Sequence, residues 1–485
     1  MLSLMHKHSY ISLLSFKSGA SLRHRASHAA IYLRPFHSNA QSKDAAEGTI
    51  GSASIQSTEA LRIHPGRLNQ TILNSGNRFG KAYRWGDQPH EFGLRRLAGT
   101  EVDGAVRDWF VEECRSLGCT IKVDEIGNIF ATYPGKHSGN PTAIGSHLDT
   151  QPEAGKYDGI LGVLAGLEVL RTFKENGYVP NFDVCVVCWF NEEGARFAHS
   201  CMGSTVWAEN MSLQEAYGML SLNEEKPQSV IDSLDSIGYK GETVASYKQN
   251  ELAAHFELHI EQGPLLEDEN KKIGIVTGVQ AYHWEKITVY GISSHAGTTP
   301  WKSRKDALVT ASKMIVSAAN IAERHGGLFT CGIVDVKPYS INIIPTEASF
   351  TVDFRHENDI KMASIIDDAH AEFKKIAQEG KTTFDSEFLL TSKAVKFHDT
   401  CINCVTKSAL DQFDSSEVIE ICSGAGHDSC QTSSRIPTSM IFIPSKDGLS
   451  HNYHEYSSPE DIENGFKVLL QSIINYDNSR LVQSA

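Results

Sequence analysis

The sequence predicts an α/β protein: a large sheet covered on both faces, interrupted by a small inserted α+β module. Three observations carry this. Continuous apolar strands alternate with helical stretches up to about residue 280. A β-α-β-β-α order, the ferredoxin-like arrangement, follows over 281–396. Alternating strand and helix character then returns to the C-terminus. Continuous apolar strands linked by helices need cover on both faces.

The elements justify this in order. "VDGAVRDWFVEECRSL" places Val106, Trp109, Phe110 and Val111 on one side of a helix over about Val102–Leu117. "TIKVDEIGNIFATYPG" reads as two strands around a turn at Gly127-Asn128. "TAIGSH" is a strand ending at His147, and "ILGVLAGLEVLRTFKENG" is a helix carrying Leu161, Val163, Leu164 and Leu167 inward. "FDVCVVCWF" and "AAHFELHIEQGP" are further strands, the second stopped by Gly263-Pro264. From Ala281 the pattern changes. "HWEKITVYGISSHAG" alternates like a half-exposed strand, and "SRKDALVTASKMIVSAANIAERHG" is a helix. "FTCGIVDVKP" and "INIIPTEASFTVDFRH" are strands, and "DIKMASIIDDAHAEFKKIAQEG" is a helix. After residue 396, "IPTSMIFIP" supplies a strand and "SPEDIENGFKVLLQSIINY" a last helix. The expected organisation is a leader over 1–36, a linker over 37–60, a first α/β part over 61–280, an inserted module over 281–396 and a second α/β part over 397–485.

The leader differs in charge. Met1 to Phe36 holds no acid, but carries Lys7, Lys17, Arg23, Arg25 and Arg34 among many Ser and Leu. That composition predicts a cleavable mitochondrial presequence, with "RPFHS" as the cleavage region; the alternative is a cytoplasmic chain with an irregular tail. A formal charge of −14 over 485 residues argues against nucleic-acid backbones as partners. No apolar run approaches the ~20 residues of a membrane span. The ten cysteines include two Cys-x-x-Cys pairs. Cys185 and Cys188 lie within one strand, where residues three apart face opposite sides, so a thiolate zinc site is not expected there.

The chemistry gathers at strand ends. His147 and Asp149 follow the first apolar strand, Glu192 and Glu193 the next, then His259, and His451 follows "SMIFIPSKDGLS". In open α/β sheets, sites form beyond the carboxyl ends of strands. His147, Asp158, Glu193, His259 and His451 are too many ligands for one catalytic zinc. They suit two divalent ions about 3.5–4 Å apart, with Asp158 as the bridging carboxylate. Histidine and carboxylate donors suit zinc, manganese or cobalt. Asp149, two residues from His147, is placed to orient its ring. In the Glu192-Glu193 pair, one carboxylate can bind metal while the other stays free as a general base.

Five stretches then carry a resemblance: "GSHLDT…GKYDGILGVLAGLEVL", "FNEEGARFAHSCMGS", "HIEQGP", "GISSHAGTTPWKSRKDAL" and "GLSHNYHEYSS". Together they resemble the amidase/hydantoinase/carbamoylase group of the aminoacylase/carboxypeptidase-G superfamily of dinuclear metallohydrolases. "GIVTGVQAY" and "HAGTTPWKSRKDAL" are most similar to the fungal β-alanine synthase (β-ureidopropionase) branch. The resemblance implies a zinc-exopeptidase-like catalytic domain with a lid that also makes a homodimer. It implies Glu192 as the general base, with His147, Asp158, Glu193, His259 and His451 as ligands. It implies that His295 stabilises the oxyanion and that Gln262, Asn342, Arg355 and His427 contact substrate. His454, three residues from His451, matches the ligand motif less well. The implied reaction is hydrolysis of N-carbamoyl-β-alanine to β-alanine, CO2 and NH3. The alternatives are an N-carbamoyl-L-amino acid hydrolase, an allantoate-type amidohydrolase, or a non-catalytic metal-dependent binding protein. Because the ligands flank the insertion while several substrate contacts lie inside it, His295, Asn342 and Arg355 are expected to serve the partner's site.

Overall fold

The computed structural model describes residues 61–484. The expected presequence and linker lie outside them. Among the described residues no helix is long and apolar enough to cross a membrane.

A nine-stranded sheet organises the larger part. Its centre is parallel: His137–His147 lies between Phe182–Trp189 and Ala254–Ile260, and Thr438–Ile443 runs parallel on the far side of Ala254–Ile260. Both faces are covered. Val184, Val186 and Cys188 enter the main core with the Ile160–Glu175 helix, while Cys185, Val187 and Trp189 enter a smaller core with Trp207. That alternation separates Cys185 from Cys188, as the period of a strand requires. The four central strands end on the same edge, where His147, the Asn191–Gly194 turn, His259 and the segment after Ile443 meet.

The inserted part has its own core and a five-stranded antiparallel sheet. Ala281–Tyr290 pairs with Glu347–His356 and with Thr383–Ser392. Helices Ala307–His325 and Asp359–Gly380 pack on one face through Met314, Ile321, Ile365 and Phe373. Asp306 and Asn358 cap these helices through their side chains.

The sequence reading differs from this at three points. The closing strand Thr383–Ser392 went unread, because its residues are mostly exposed and lack the alternation that marks a strand. "FTCGIVDVKP" forms two short strands, Leu328–Thr330 and Val334–Lys337, rather than one. Val395–Lys396 pairs with Ile273–Val279 and so belongs to the large sheet, not to the insertion.

Candidate metal centre and active site

Asp158 is the pivot. It sits just before the Ile160–Glu175 helix, whose cap, Gly159, has φ 66°. A Cβ at Gly159 would overlap the His147 ring, so glycine is needed both for the backbone and for the approach. One carboxylate oxygen, Oδ1, lies 3.6 Å from His147 Nε2 and 3.2 Å from His259 Nε2. The other, Oδ2, lies 3.4 Å from His451 Nε2, which is itself 3.3 Å from Glu193 Oε2. The two resulting ligand groups, His147–Asp158–His259 and Asp158–Glu193–His451, share only Asp158. His147 and His259 are buried, whereas the His451 side chain is 50% exposed, so the cluster opens to solvent on the His451 side.

The rings are held from behind by carbonyls. His147 Nδ1 meets the Asp149 main-chain oxygen at 2.9 Å, and His259 Nδ1 meets that of Ile260 at 2.8 Å. Both rings therefore present Nε2 to Asp158. Asp149 meets this ring through its main-chain oxygen, and its carboxylate stands farther off, 3.9 Å from His147 Nδ1. That carboxylate instead accepts the main-chain N–H groups of Glu192 and Glu193, each at 3.3 Å. It fixes the turn that carries both glutamates.

The glutamates part company. Glu193 joins a ligand group, and Gln151 also donates to it. Glu192 belongs to neither group. Its Oε2 lies 3.5 Å from His147 Nε2, and its Oε1 accepts the Cys201 thiol at 3.2 Å.

The electrostatics favour a cation. Burial pushes Glu192 well above the carboxylate range, and burial with the nearby Asp158 pushes Glu193 up to about 7. Burial opposes protonation of His147, yet Glu192 and Asp158 carry it well above its ordinary value. The hydrogen bond to Asp158 takes His451 up to about 9. Burial alone would raise Asp158, but the three histidines hold it well below its usual range. Acids that cling to protons, facing imidazoles that gain them, form a site where divalent cations would replace those protons. The nitrogen and oxygen donors fit zinc, manganese or cobalt.

The remaining expected residues fall into four places. Gln262 donates to Asp158 Oδ2 at 2.8 Å and to Ser450 Oγ at 3.1 Å, so it lies within the cluster. His427 is buried with its ring 4.6 Å from that of His259, and its Nε2 meets Ser423 Oγ at 3.0 Å. Burial and the neighbouring His259 push it down to about 3, which keeps it neutral. Arg355 pairs with Asp353 at 3.0 Å and donates to the Gly424 carbonyl at 2.7 Å. That contact joins the strand of Arg355 to the loop that precedes His427. His295 and Asn342 lie together on a small ribbon, Ser294–His295 against Ile343–Ile344. Their polar contacts are local: His295 Nδ1 accepts from Gly297 and Thr298, and Asn342 accepts from Ala296 and Ser340. His454 points away, onto the Trp85 ring. Sequence reasoning missed Glu455, although it lies within the quoted stretch "GLSHNYHEYSS".

Residues 143–475 match the model of peptidase family M20/M25/M40. An N-carbamoyl-L-amino-acid amidohydrolase of Rhizobium meliloti is 36% identical over 385 residues, covering 79% of this chain and 91% of that protein. A ureidoglycolate hydrolase of Arabidopsis thaliana is 32% identical over 431 residues, 87% of each chain. The crystal structure of an amidase of the hydantoinase/carbamoylase family from Burkholderia multivorans matches with a TM-score of 0.79 at 37% identity, covering 86% of this chain and 98% of that one.

Proposed function

Because the chain belongs to peptidase family M20/M25/M40, alongside its hydantoinase/carbamoylase amidases, we propose that it hydrolyses the carbamoyl carbon–nitrogen bond of N-carbamoyl-L-amino acids. It is a hydrolase of carbon–nitrogen bonds other than peptide bonds. The named relatives support the L-amino acid reading better than N-carbamoyl-β-alanine, the substrate expected from the motif resemblance. One observation carries the mechanism: Glu193 falls inside a ligand group while the adjoining Glu192 stays outside both.

His147, Asp158 and His259 would hold one cation, and Asp158, Glu193 and His451 the other. Two divalent ions bound there supply Lewis acidity toward the ureido carbonyl and lower the pKa of water. Glu192 takes the proton of the water that adds to the ureido carbon. It returns that proton to the leaving nitrogen as the carbon–nitrogen bond breaks. The products are the amino acid, CO2 and ammonia. Arg355 faces the substrate carboxylate, with a guanidinium able to bind it through two parallel hydrogen bonds. In a homodimer built through the inserted part, His295, Asn342 and Arg355 complete the partner's site. The acid-free leader supports a mitochondrial address, and N-terminal sequencing of native protein should then begin near His37 rather than Met1.

The test is ammonia release from N-carbamoyl-L-methionine, N-carbamoyl-β-alanine and ureidoglycolate, side by side. Highest kcat/KM on the L-α-amino acid is expected. Preference for N-carbamoyl-β-alanine or ureidoglycolate would refute the substrate assignment, and inactivity on all three would refute the reaction class.

A further inference from the structure

Glu455 lies four residues after His451, is buried, and spans two loops that come together from opposite ends of the chain. Its Oε1 accepts the main-chain N–H of Tyr157 at 3.0 Å and of Asp158 at 3.2 Å. The Ser450 hydroxyl donates to Asp158 Oδ2 at 2.7 Å, and Glu455 Oε2 lies 3.3 Å from the same Oγ as the second, longer acceptor of that proton. One carboxylate thus holds the backbone of Asp158 and, through Ser450, the approach to His451. The surroundings are built around it. A Cβ at Gly155 would overlap the Glu455 side chain, so the glycine of "EAGKYDG" makes room for this carboxylate. Lys156 is buried nearby, donates to the Phe92 carbonyl at 2.8 Å and lies over the Trp85, Phe92 and Tyr157 rings.

We propose that Glu455 is a positioning residue of the metal centre: its carboxylate clamps the Asp158 and Ser450-His451 loops so that Asp158 meets both ligand groups. This rests on reading Asp158 and His451 as cation ligands. The clamp works by geometry. A glutamine there keeps an acceptor for the two amides, and its NH2 can donate to Ser450 Oγ while that hydroxyl still donates to Asp158. An alanine leaves buried donors without partners, which is the costly case.

Two readouts test this on the full chain carrying Glu455→Gln or Glu455→Ala. The first is hydrogen exchange of the Tyr157 and Asp158 amides in chelator-stripped protein, which needs no metal. The second is cobalt affinity and its visible spectrum. Glu455→Gln should retain amide protection and the wild-type spectrum. Glu455→Ala should speed exchange and weaken cobalt binding at least about tenfold. If Glu455→Ala does not fold, Ser450→Ala cuts the same clamp at its second link and should shift the spectrum and affinity in the same direction. Unchanged exchange and affinity in the alanine variants, or a glutamine variant as impaired as alanine, would overturn the clamp. Failure of the wild type to bind cobalt would refute the metal reading instead, with the exchange result still deciding the clamp.

Discussion

At the scale of single residues, the informative contrast is between adjacent side chains doing different work. Glu192 and Glu193 are neighbours in sequence, but Asp149 holds both of their N–H groups and so sets the turn that splits them. Glu192→Gln should keep both cations, because it removes a carboxylate from outside the ligand groups. It should lower kcat by roughly 10²–10⁴, the usual weight of a general base. Metal analysis beside steady-state kinetics checks this. Loss of one cation with high residual turnover would show that the two glutamates have exchanged roles. These positions were legible in the sequence because strand ends in a parallel sheet converge by topology, whatever the spacing along the chain. The detailed role of Asp149 was not legible. Whether its carbonyl or its carboxylate faces His147 depends on the local backbone turn, which residue identity does not encode. Glu455 was hidden for a related reason: its partners, Tyr157 and Asp158, lie about three hundred residues away.

At the scale of elements, the long helices were readable from periodicity and the short exposed strands were not. Asp359–Gly380 has a clear apolar face and a capping asparagine, and its bounds match the quoted stretch. Thr383–Ser392 is fixed instead by pairing with Ala281–Tyr290, a tertiary effect. That pairing encloses a polar network. Glu285 accepts from His283 at 2.6 Å, His370 at 2.7 Å and Ser386 at 2.8 Å, and His283 also meets Thr391 at 2.6 Å. The hydrogen bond to Glu285 raises His370 above its ordinary 6.5. Burial would raise Glu285, but the hydrogen bonds from the two histidines and Ser386 bring it far below its ordinary 4.5. The His370 contribution to stability is therefore complete below about 6.5 and fades as pH rises through its raised folded value. The Glu285 contribution is present above its ordinary value and is lost only in strong acid. His370→Gln should thus lower the urea midpoint more at pH 6 than at pH 9. An equal loss at both values would show that His370 acts by packing alone.

At the scale of the whole molecule, the centre is assembled from loops of the large sheet, while His295 and Asn342 stand on the inserted part with local contacts only. If they serve a partner's site, two inactive chains can repair each other. With random exchange between Glu192→Gln and His295→Ala, about half the dimers are mixed, each with one intact site, so activity should return to roughly a quarter of wild type. Confirmed exchange without recovery would assign His295 to its own chain. Hydrolysis at two cations that share Asp158 is the central claim. Its most direct test is to strip the chain with a chelator, add back zinc, manganese or cobalt, and measure bound metal and ammonia release from N-carbamoyl-L-methionine together. Two cations per chain are expected at saturation, and no ammonia from the stripped protein. Full turnover by the stripped chain, or saturation at a single cation, would contradict it.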